Sequence, residues 1–281
     1  ITFPYVSRIL LPEGTGRVSF ATSVVSYFLM LSQLGIPTYG IRACARVRDD
    51  RKALSCVVHE LLAINLLMSV LAYLLLGGCV FLIPKLRVEK TLIFVISFTI
   101  ILNAIGMEWL YKALEQYTYI TIRSVIFKAI AVIAMLLMVR QKSDYIVYGA
   151  LTIFAASASN ICNFVHAHKY IDFFLKEKCD LKKHLKPVLV FFAMSCATVI
   201  YTNLDTVMLG LMKGNVDVGY YNAAVKIKGI LLGVVTALGT VMLPRLSYYV
   251  EHGEQKEFGR LTRKAMNFVI LLATPLMIYF I

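Results

Sequence analysis

Val18-Ser-Phe-Ala-Thr-Ser-Val-Val-Ser-Tyr-Phe-Leu-Met-Leu-Ser-Gln-Leu-Gly-Ile-Pro-Thr-Tyr-Gly-Ile41 is a run of 24 residues without a charge. Coiled as a helix at 1.5 Å per residue, it is long enough to cross the roughly 30 Å hydrocarbon core of a bilayer. Leu61–Pro84 repeats the pattern over another 24 residues. Thr91–Met107 continues past Glu108 into Trp109 and Tyr111, Arg123–Val139 is interrupted only by Lys128, and Tyr145–Val165 is clean. Pro187–Leu204 runs through Asp205 to Met212, and Val218–Pro244 contains Lys226 and Lys228. Apolar part-runs stand at Ile1–Leu11 and Ala265–Ile281. The reading is seven complete spans and two part-spans, and with both ends inside helices the chain is expected to be a fragment of a longer one.

The whole chain agrees with these runs. Of 281 residues, 59% are apolar and 16% charged, and mean hydropathy is +0.74. An average soluble domain carries roughly 25% charged residues and cannot keep this much apolar surface from water. Disorder, collagen and a disulfide-stapled secreted fold are excluded by the same numbers. The fold class is therefore an all-α integral membrane protein, a multi-span helical bundle.

The net charge of +13 reads as topology rather than as nucleic-acid binding, because basic residues collect in cytoplasmic loops. Segments 42–53, 112–128, 169–186 and 245–264 hold 5, 3, 6 and 5 Lys+Arg, nineteen in all. The alternate set, 8–17, 85–90, 140–142 and 213, holds eight. This places Arg46–Lys52 and Lys176–Lys186 in the cytoplasm, with Pro12–Gly16, Lys85–Lys90 and Lys213–Asp217 on the outer side. Cys44, Cys56, Cys79, Cys162, Cys179 and Cys196 form no C-x-x-C pair and neighbour no His at metal spacing, so they read as small core residues and no metal or cofactor is expected. No Gly-rich phosphate loop, H-E-x-x-H or G-x-S-x-G is present, and the longest soluble connection, 166–186, is too short for a catalytic domain.

A faint repeat runs through the chain. Pro12-Glu-Gly-Thr-Gly16 opens a helix reading Gly16…Ser19-Phe20-Ala21, with Pro37 and Arg42 near its far end. Lys213-Gly-Asn-Val-Asp-Val-Gly219 opens one reading Gly219…Asn222-Ala223-Ala224, followed by Pro244-Arg245, at an offset of about 203 residues. Six spans separate the copies, which have the same orientation, and such repeats suggest two six-helix lobes related by an axis along the membrane normal. The expected division is a first lobe over 1–176 and the beginning of a second over 177–281.

Particular strings then carry a family resemblance. Phe3-Pro-Tyr-Val-Ser-Arg8-Ile-Leu-Leu-Pro-Glu-Gly14-Thr-Gly16 resembles the first-loop signature of polysaccharide flippases in the multidrug/oligosaccharidyl-lipid/polysaccharide exporter superfamily. Gly35-Ile-Pro-Thr-Tyr-Gly40-Ile-Arg42, Trp109…Leu114-Glu115…Tyr119-Ile-Thr-Ile-Arg123-Ser and Asn203-Leu-Asp205-Thr-Val-Met-Leu-Gly210 look like the same family, as do Val218-Gly-Tyr-Tyr-Asn-Ala-Ala-Val-Lys226 and Leu243-Pro-Arg245. The O-antigen (Wzx-type) branch is most similar. The resemblance implies a non-enzymatic flippase in the bacterial inner membrane, which moves an undecaprenyl-diphosphate-linked repeat unit from the cytoplasmic to the periplasmic leaflet by alternating access. It also implies a role in lipopolysaccharide and polysaccharide biosynthesis, with membrane lipids, a coupling ion (H⁺ or Na⁺) and polysaccharide polymerase machinery as partners.

Such a substrate asks for cations in a hydrated cavity, with Arg forks suited to phosphate. Intramembrane charges normally face such a cavity or a partner. The candidates are Arg8, Arg42, Arg123 and Lys226, with Arg42 and Arg123 equally readable as interfacial anchors and Lys128 better read as one. Asp205 is the ion-coupling candidate, expected to pair with Lys226 at equal depth across the hairpin centred near Asn215. Glu60 and Glu108 sit nearer the cytoplasmic helix ends, where solvation at the interface accounts for them. Gly35 and Pro37 are hinge candidates. The competing readings are a small-molecule exporter of the same superfamily and a membrane enzyme of polysaccharide assembly, either a polymerase or a polyprenyl-sugar transferase. The only acidic doublet, Asp49-Asp50, is flanked by Arg48 and Arg51, which suits a salt-bridged loop better than a metal-bound nucleotide sugar.

Overall fold

The computed structural model describes residues 2–172, 180–229 and 254–280, together with Gly233, Met242 and Tyr249. Lys176, Lys178, Cys179, Pro244, Arg245 and about half of the run Val218–Pro244 lie outside the described residues. The described chain is helical with no strand: α1 (Thr2–Gln33), α2 (Ile36–Ala45), α3 (Arg51–Leu82), α4 (Pro84–Val88), α5 (Lys90–Gly106), α6 (Glu108–Ala113) and α7 (Tyr117–Met138). Then follow α8 (Tyr145–Ile153), a π-helical turn (Phe154–Ala158), α9 (Asn160–His166), α10 (Lys182–Met212), α11 (residues 215–229) and α12 (Gln255–Phe280). Helical stretches long and apolar enough to cross a membrane are Thr2–Ala45, Arg51–Leu82, Tyr117–Met138, Lys142–Lys169 and Lys182–Met212, with the shorter apolar helix Lys90–Gly106 beside them. The protein is an all-α, multi-span membrane protein.

Local chemistry sets where the helices break. Leu11 precedes a proline, which disfavours the helical region, and it adopts φ 57° and ψ 178°, dividing α1 into two arms. The Thr15 hydroxyl donates to the carbonyls of Leu11 (3.0 Å) and Pro12 (3.2 Å) beside this break. The uncharged run Val18–Ile41 is likewise not one helix, because Leu34 (φ 44°) and Gly35 (φ 74°) leave the helical region before Pro37 restarts it in α2. Asp50 caps α3, its carboxylate accepting from the Lys52 (2.9 Å) and Ala53 (3.2 Å) amides. That cap starts α3 ten residues before the apolar run and carries Glu60 into the helix.

Two compact units divide the chain, Ile1–Asn222 and Ala223–Ile281. Within the first, successive connections lie at opposite ends of the bundle. At one end Arg17 reaches Glu89 (3.6 Å) and the Tyr145 hydroxyl (3.4 Å), and the Asn215 amide donates to Glu89 (3.2 Å). At the other, Arg48 pairs with Glu115 (3.1 Å) and Arg51 with Asp172 (2.8 Å). This is the alternation that the basic-residue count assumed. One buried cluster, around Leu10, Phe20, Ile93 and Ile100, belongs to the first end. A second, around Ile36, Leu61, Met107 and Leu110, belongs to the other. Leu67, Leu74, Phe81 and Phe94 are exposed, the pattern of helices that turn an apolar face to lipid. In the second unit α12 carries one ion pair, Glu257 with Arg260 at 3.6 Å.

Candidate functional site

The site is built where α10 runs antiparallel to the second arm of α1. Three close approaches define the register. A Cβ on Gly35 would stand 2.5 Å from the Phe192 amide nitrogen, one on Gly210 would stand 2.2 Å from the Phe20 ring, and one on Gly16 would stand 1.7 Å from the Asn215 carbonyl oxygen. Glycine is required at each position because backbone or an aromatic ring occupies the space a side chain would take. Small residues of this kind let membrane helices approach closely. Gly35 is constrained twice, since its φ of 74° also disfavours a side chain.

The faint repeat reappears here as geometry. The offset of 203 residues maps Pro12 onto Asn215 and Gly16 onto Gly219. Gly16 meets the Asn215 carbonyl, and a Cβ on Gly219 would stand 1.9 Å from the Pro12 carbonyl. Each contact is the image of the other under the repeat, which is what a local two-fold relation requires. The crossing closes one end of the helix pair, and Arg17, Glu89 and Asn215 reinforce it.

Toward the other end, beside the Gly35–Phe192 contact, the same helices flank a cavity of about 380 Å³ whose walls include Gln33, Gly35, Pro37, Thr38, Ser195 and Thr198. The hinge candidates Gly35 and Pro37 thus line this space. The Arg42 guanidinium lies over the ring of Phe191, which also faces the cavity, at 5.0 Å. Phe191, Ser195, Thr198, Thr202 and Asp205 follow one another at intervals of four, three, four and three, and so share one face of α10. Arg42 and Asp205 therefore mark the two ends of a polar stripe roughly 20 Å long.

Asp205 is exposed at the surface of α10 and accepts a hydrogen bond from the Tyr221 hydroxyl at 2.6 Å. Lys226, named beforehand as its partner, is exposed and belongs to the second compact unit. Arg8 is exposed on the first arm of α1. Arg123 stands apart from the stripe: it is buried, donates to the Ser159 carbonyl at 2.9 Å and lies over the Tyr119 ring. Its neighbours are an aromatic pile of Tyr111, Tyr119 and His166, with the Tyr119 and His166 ring centres 4.6 Å apart. The buried Tyr111 hydroxyl donates to the Asn163 carbonyl at 2.6 Å.

Glu60 corrects the sequence reading. Instead of being solvated at an interface, it is 1% exposed. Its Oε2 accepts from Lys183 Nζ (2.8 Å) and His184 Nε2 (2.7 Å), and its Oε1 accepts from the Asp180 amide (2.7 Å). His184 Nδ1 meets the Tyr39 hydroxyl at 2.8 Å. With Nε2–H pointing at the carboxylate, the ring is satisfied either as the neutral tautomer, accepting from Tyr39, or as imidazolium, donating to it. The cluster ties α2, α3 and the start of α10 together at the end opposite the glycine crossing. Glu108 does sit half-exposed, paired with Lys112 at 2.8 Å.

Comparison with known proteins supplies the family. The model of the family described as polysaccharide biosynthesis protein matches residues 1–250. The chain belongs to that family. A protein of Escherichia coli (strain K12) named "Putative O-antigen transporter" is 22% identical over 253 residues, 88% of this chain and 60% of its own length. A protein of the same name from Shigella dysenteriae is 26% identical over 250 residues, 88% of this chain and 62% of its own. The chain thus spans about three-fifths of the curated relatives it matches. No solved structure matches it. Within the polysaccharide biosynthesis family frame, the matched segment includes both copies of the repeat start and the whole α10 stripe.

Proposed function

We propose that the protein to which this chain belongs is a flippase of the bacterial inner membrane, moving an undecaprenyl-diphosphate-linked O-antigen or related repeat unit from the cytoplasmic to the periplasmic leaflet by alternating access. Family membership and the relatives' names support transport of a polysaccharide. The observation that supports the mechanism is how α10 and the start of α11 pack on α1 and α2: backbone meets backbone at Gly16–Asn215 and again at Gly35–Phe192, and a partly polar cavity of about 380 Å³ opens beside Gly35. With the basic loops cytoplasmic, the Gly16 crossing lies toward the outer side and the cavity toward the inner one, which suits an inward-facing form in this reading.

In this reading Arg42 at the cavity holds the diphosphate, with Arg8 beside the route, and Lys226 of the second unit is a further substrate-binding cation. Arg123, bonded within the bundle, supports the wall. Asp205, which accepts a hydrogen bond from Tyr221, is the ion-coupling residue for H⁺ or Na⁺. The coupling between substrate and ion is then reciprocal. Polymerase machinery takes the unit on the outer face.

The test is complementation of a strain lacking its flippase with the full-length gene. Restored surface polysaccharide supports transport. Unpolymerised repeat units already outside the membrane in the deletion strain would identify a polymerase instead.

A further inference from the structure

A second cavity lies outside the stripe, between α3 and α5, with a volume of about 520 Å³. That is within the range of small-ligand sites, roughly 300–1,000 Å³. Its walls come from Tyr73, Leu76 and Gly77 on α3 and from Ile93 and Phe94 on α5, and Lys90 stands at one end. We propose that this groove binds one acyl chain of an anionic glycerophospholipid, whose phosphate sits on Lys90.

Four observations support the occupant. Gly77 and Gly78 are bare in the structure, for a Cβ added at either would meet no atom within 4 Å. Gly77 lines the groove, and the space where its side chain would stand is not filled by the protein. The rim is apolar, with Leu74, Phe81 and Phe94 each more than 60% exposed, so the channel opens where hydrocarbon is the solvent. Deeper in the wall the polar groups are already used: the Tyr73 hydroxyl donates to the Ser97 carbonyl at 2.7 Å, and the Ser97 hydroxyl to the Phe94 carbonyl at 2.7 Å. The groove therefore offers polar groups to a guest only at its Lys90–Thr91 end.

The fourth observation is charge. Of the three cations in this connection, Lys85 donates to the Leu211 carbonyl, and Arg87 bonds the Phe81 carbonyl and lies over the Phe81 ring. Glu89 is turned inward to Arg17 and Asn215. Lys90 is exposed and forms no ion pair among the described residues. It begins α5 at the membrane boundary, and Ser97, the far end of the groove, lies seven residues deeper, about 10 Å. A cation at the interface above an apolar trough of that depth matches a phosphate with a chain hanging from it. One ammonium also suits a phosphodiester, which carries one negative charge. A diphosphate would ask for a second cation or an Arg fork.

The experiment uses the full-length protein in mild detergent, with bound phospholipid counted by native mass spectrometry on adding phosphatidylglycerol or phosphatidylethanolamine. The wild type is expected to retain phosphatidylglycerol several-fold better. Gly77→Phe, whose side chain enters open space and so leaves the fold alone, is expected to lose one bound lipid per chain. Lys90→Gln is expected to keep a lipid but lose the preference for the anionic one. Equal phosphatidylglycerol occupancy in wild type and Gly77→Phe would overturn the proposal, as would an anionic preference surviving Lys90→Gln. Displacement of the lipid by a polyprenyl diphosphate at equal concentration would overturn it in favour of the transported lipid. None of these readouts depends on transport, so the flippase reading stands or falls separately.

Discussion

Gly16→Ala is the smallest perturbation that tests the closed crossing. The added methyl carbon would stand 1.7 Å from the Asn215 carbonyl oxygen, whereas ordinary contact begins at 3.4 Å, so α1 and the start of α11 must part by about 1.7 Å. The obstructing atom is backbone on a helix and has no rotamer to yield. Overpacking of this kind costs typically 1–3 kcal/mol, which shifts a two-state equilibrium about 5–150-fold. The penalty falls only on the arrangement in which the helices touch, so the protein is expected to populate the outward-open form more. The assay places a cysteine at Ser23, which is buried two turns below Gly16 on the same face, in a full-length protein stripped of other thiols. Labelling by a membrane-impermeant maleimide from outside is expected to be slow in the parent and faster by a factor in that range with Gly16→Ala. Gly219→Ala, whose Cβ would stand 1.9 Å from the Pro12 carbonyl, is expected to act alike. The double variant is expected to add little to either, because one separation relieves both clashes. Unchanged labelling in a correctly inserted Gly16→Ala protein would refute the reasoning.

Reporter fusions at residues 50 and 88 are expected on opposite sides of the membrane, with 50 in the cytoplasm; finding both on one side would end the topology. Arg42→Glu and Lys226→Glu are each expected to abolish export while leaving insertion intact, and full surface polysaccharide from both would remove them from the site. His184→Ala deprives a buried carboxylate of a partner and is expected to destabilise by about 3–5 kcal/mol, read as a loss of thermal stability in detergent. Tyr39→Phe removes only the outer hydrogen bond of that cluster and is expected to cost about 0.5–1.5 kcal/mol; equal costs for the two would show that the cluster is not ordered as described.

The bundle was legible because the bilayer imposes a length on every run without a charge, and because basic residues alternate with the connections. The breaks at Pro12 and at Gly35-Ile-Pro37 carry their own chemistry, so the sequence marks them directly. Glu60 was misread because hydropathy scores a charge by its neighbours in the chain, while Lys183 and His184 lie more than 120 residues away. The one hint was local: the Asp50 cap begins α3 early enough to bury Glu60. For Asp205, depth along the hairpin pointed to Lys226, but depth says nothing of rotation, and the pattern gave no sign of the hydrogen bond from Tyr221, nearer the turn. Arg123 is held by the carbonyl of Ser159, immediately after the π-helical turn, and no pattern of residue types announces that turn.

The reciprocal crossing also bears on how the two halves could have diverged. Its contacts pair a glycine hydrogen with a carbonyl on each side, so they depend on the absence of a side chain rather than on two side chains that match. Matched side chains can drift together through compensating changes, whereas a missing one has no substitute. If the halves arose by duplication, erosion elsewhere could proceed until no identity survived, while Gly16 and Gly219 stayed fixed. The weakness of the repeat and its location at the helix starts then have one cause: ancestry stays readable only where the chain has had no alternative residue to try.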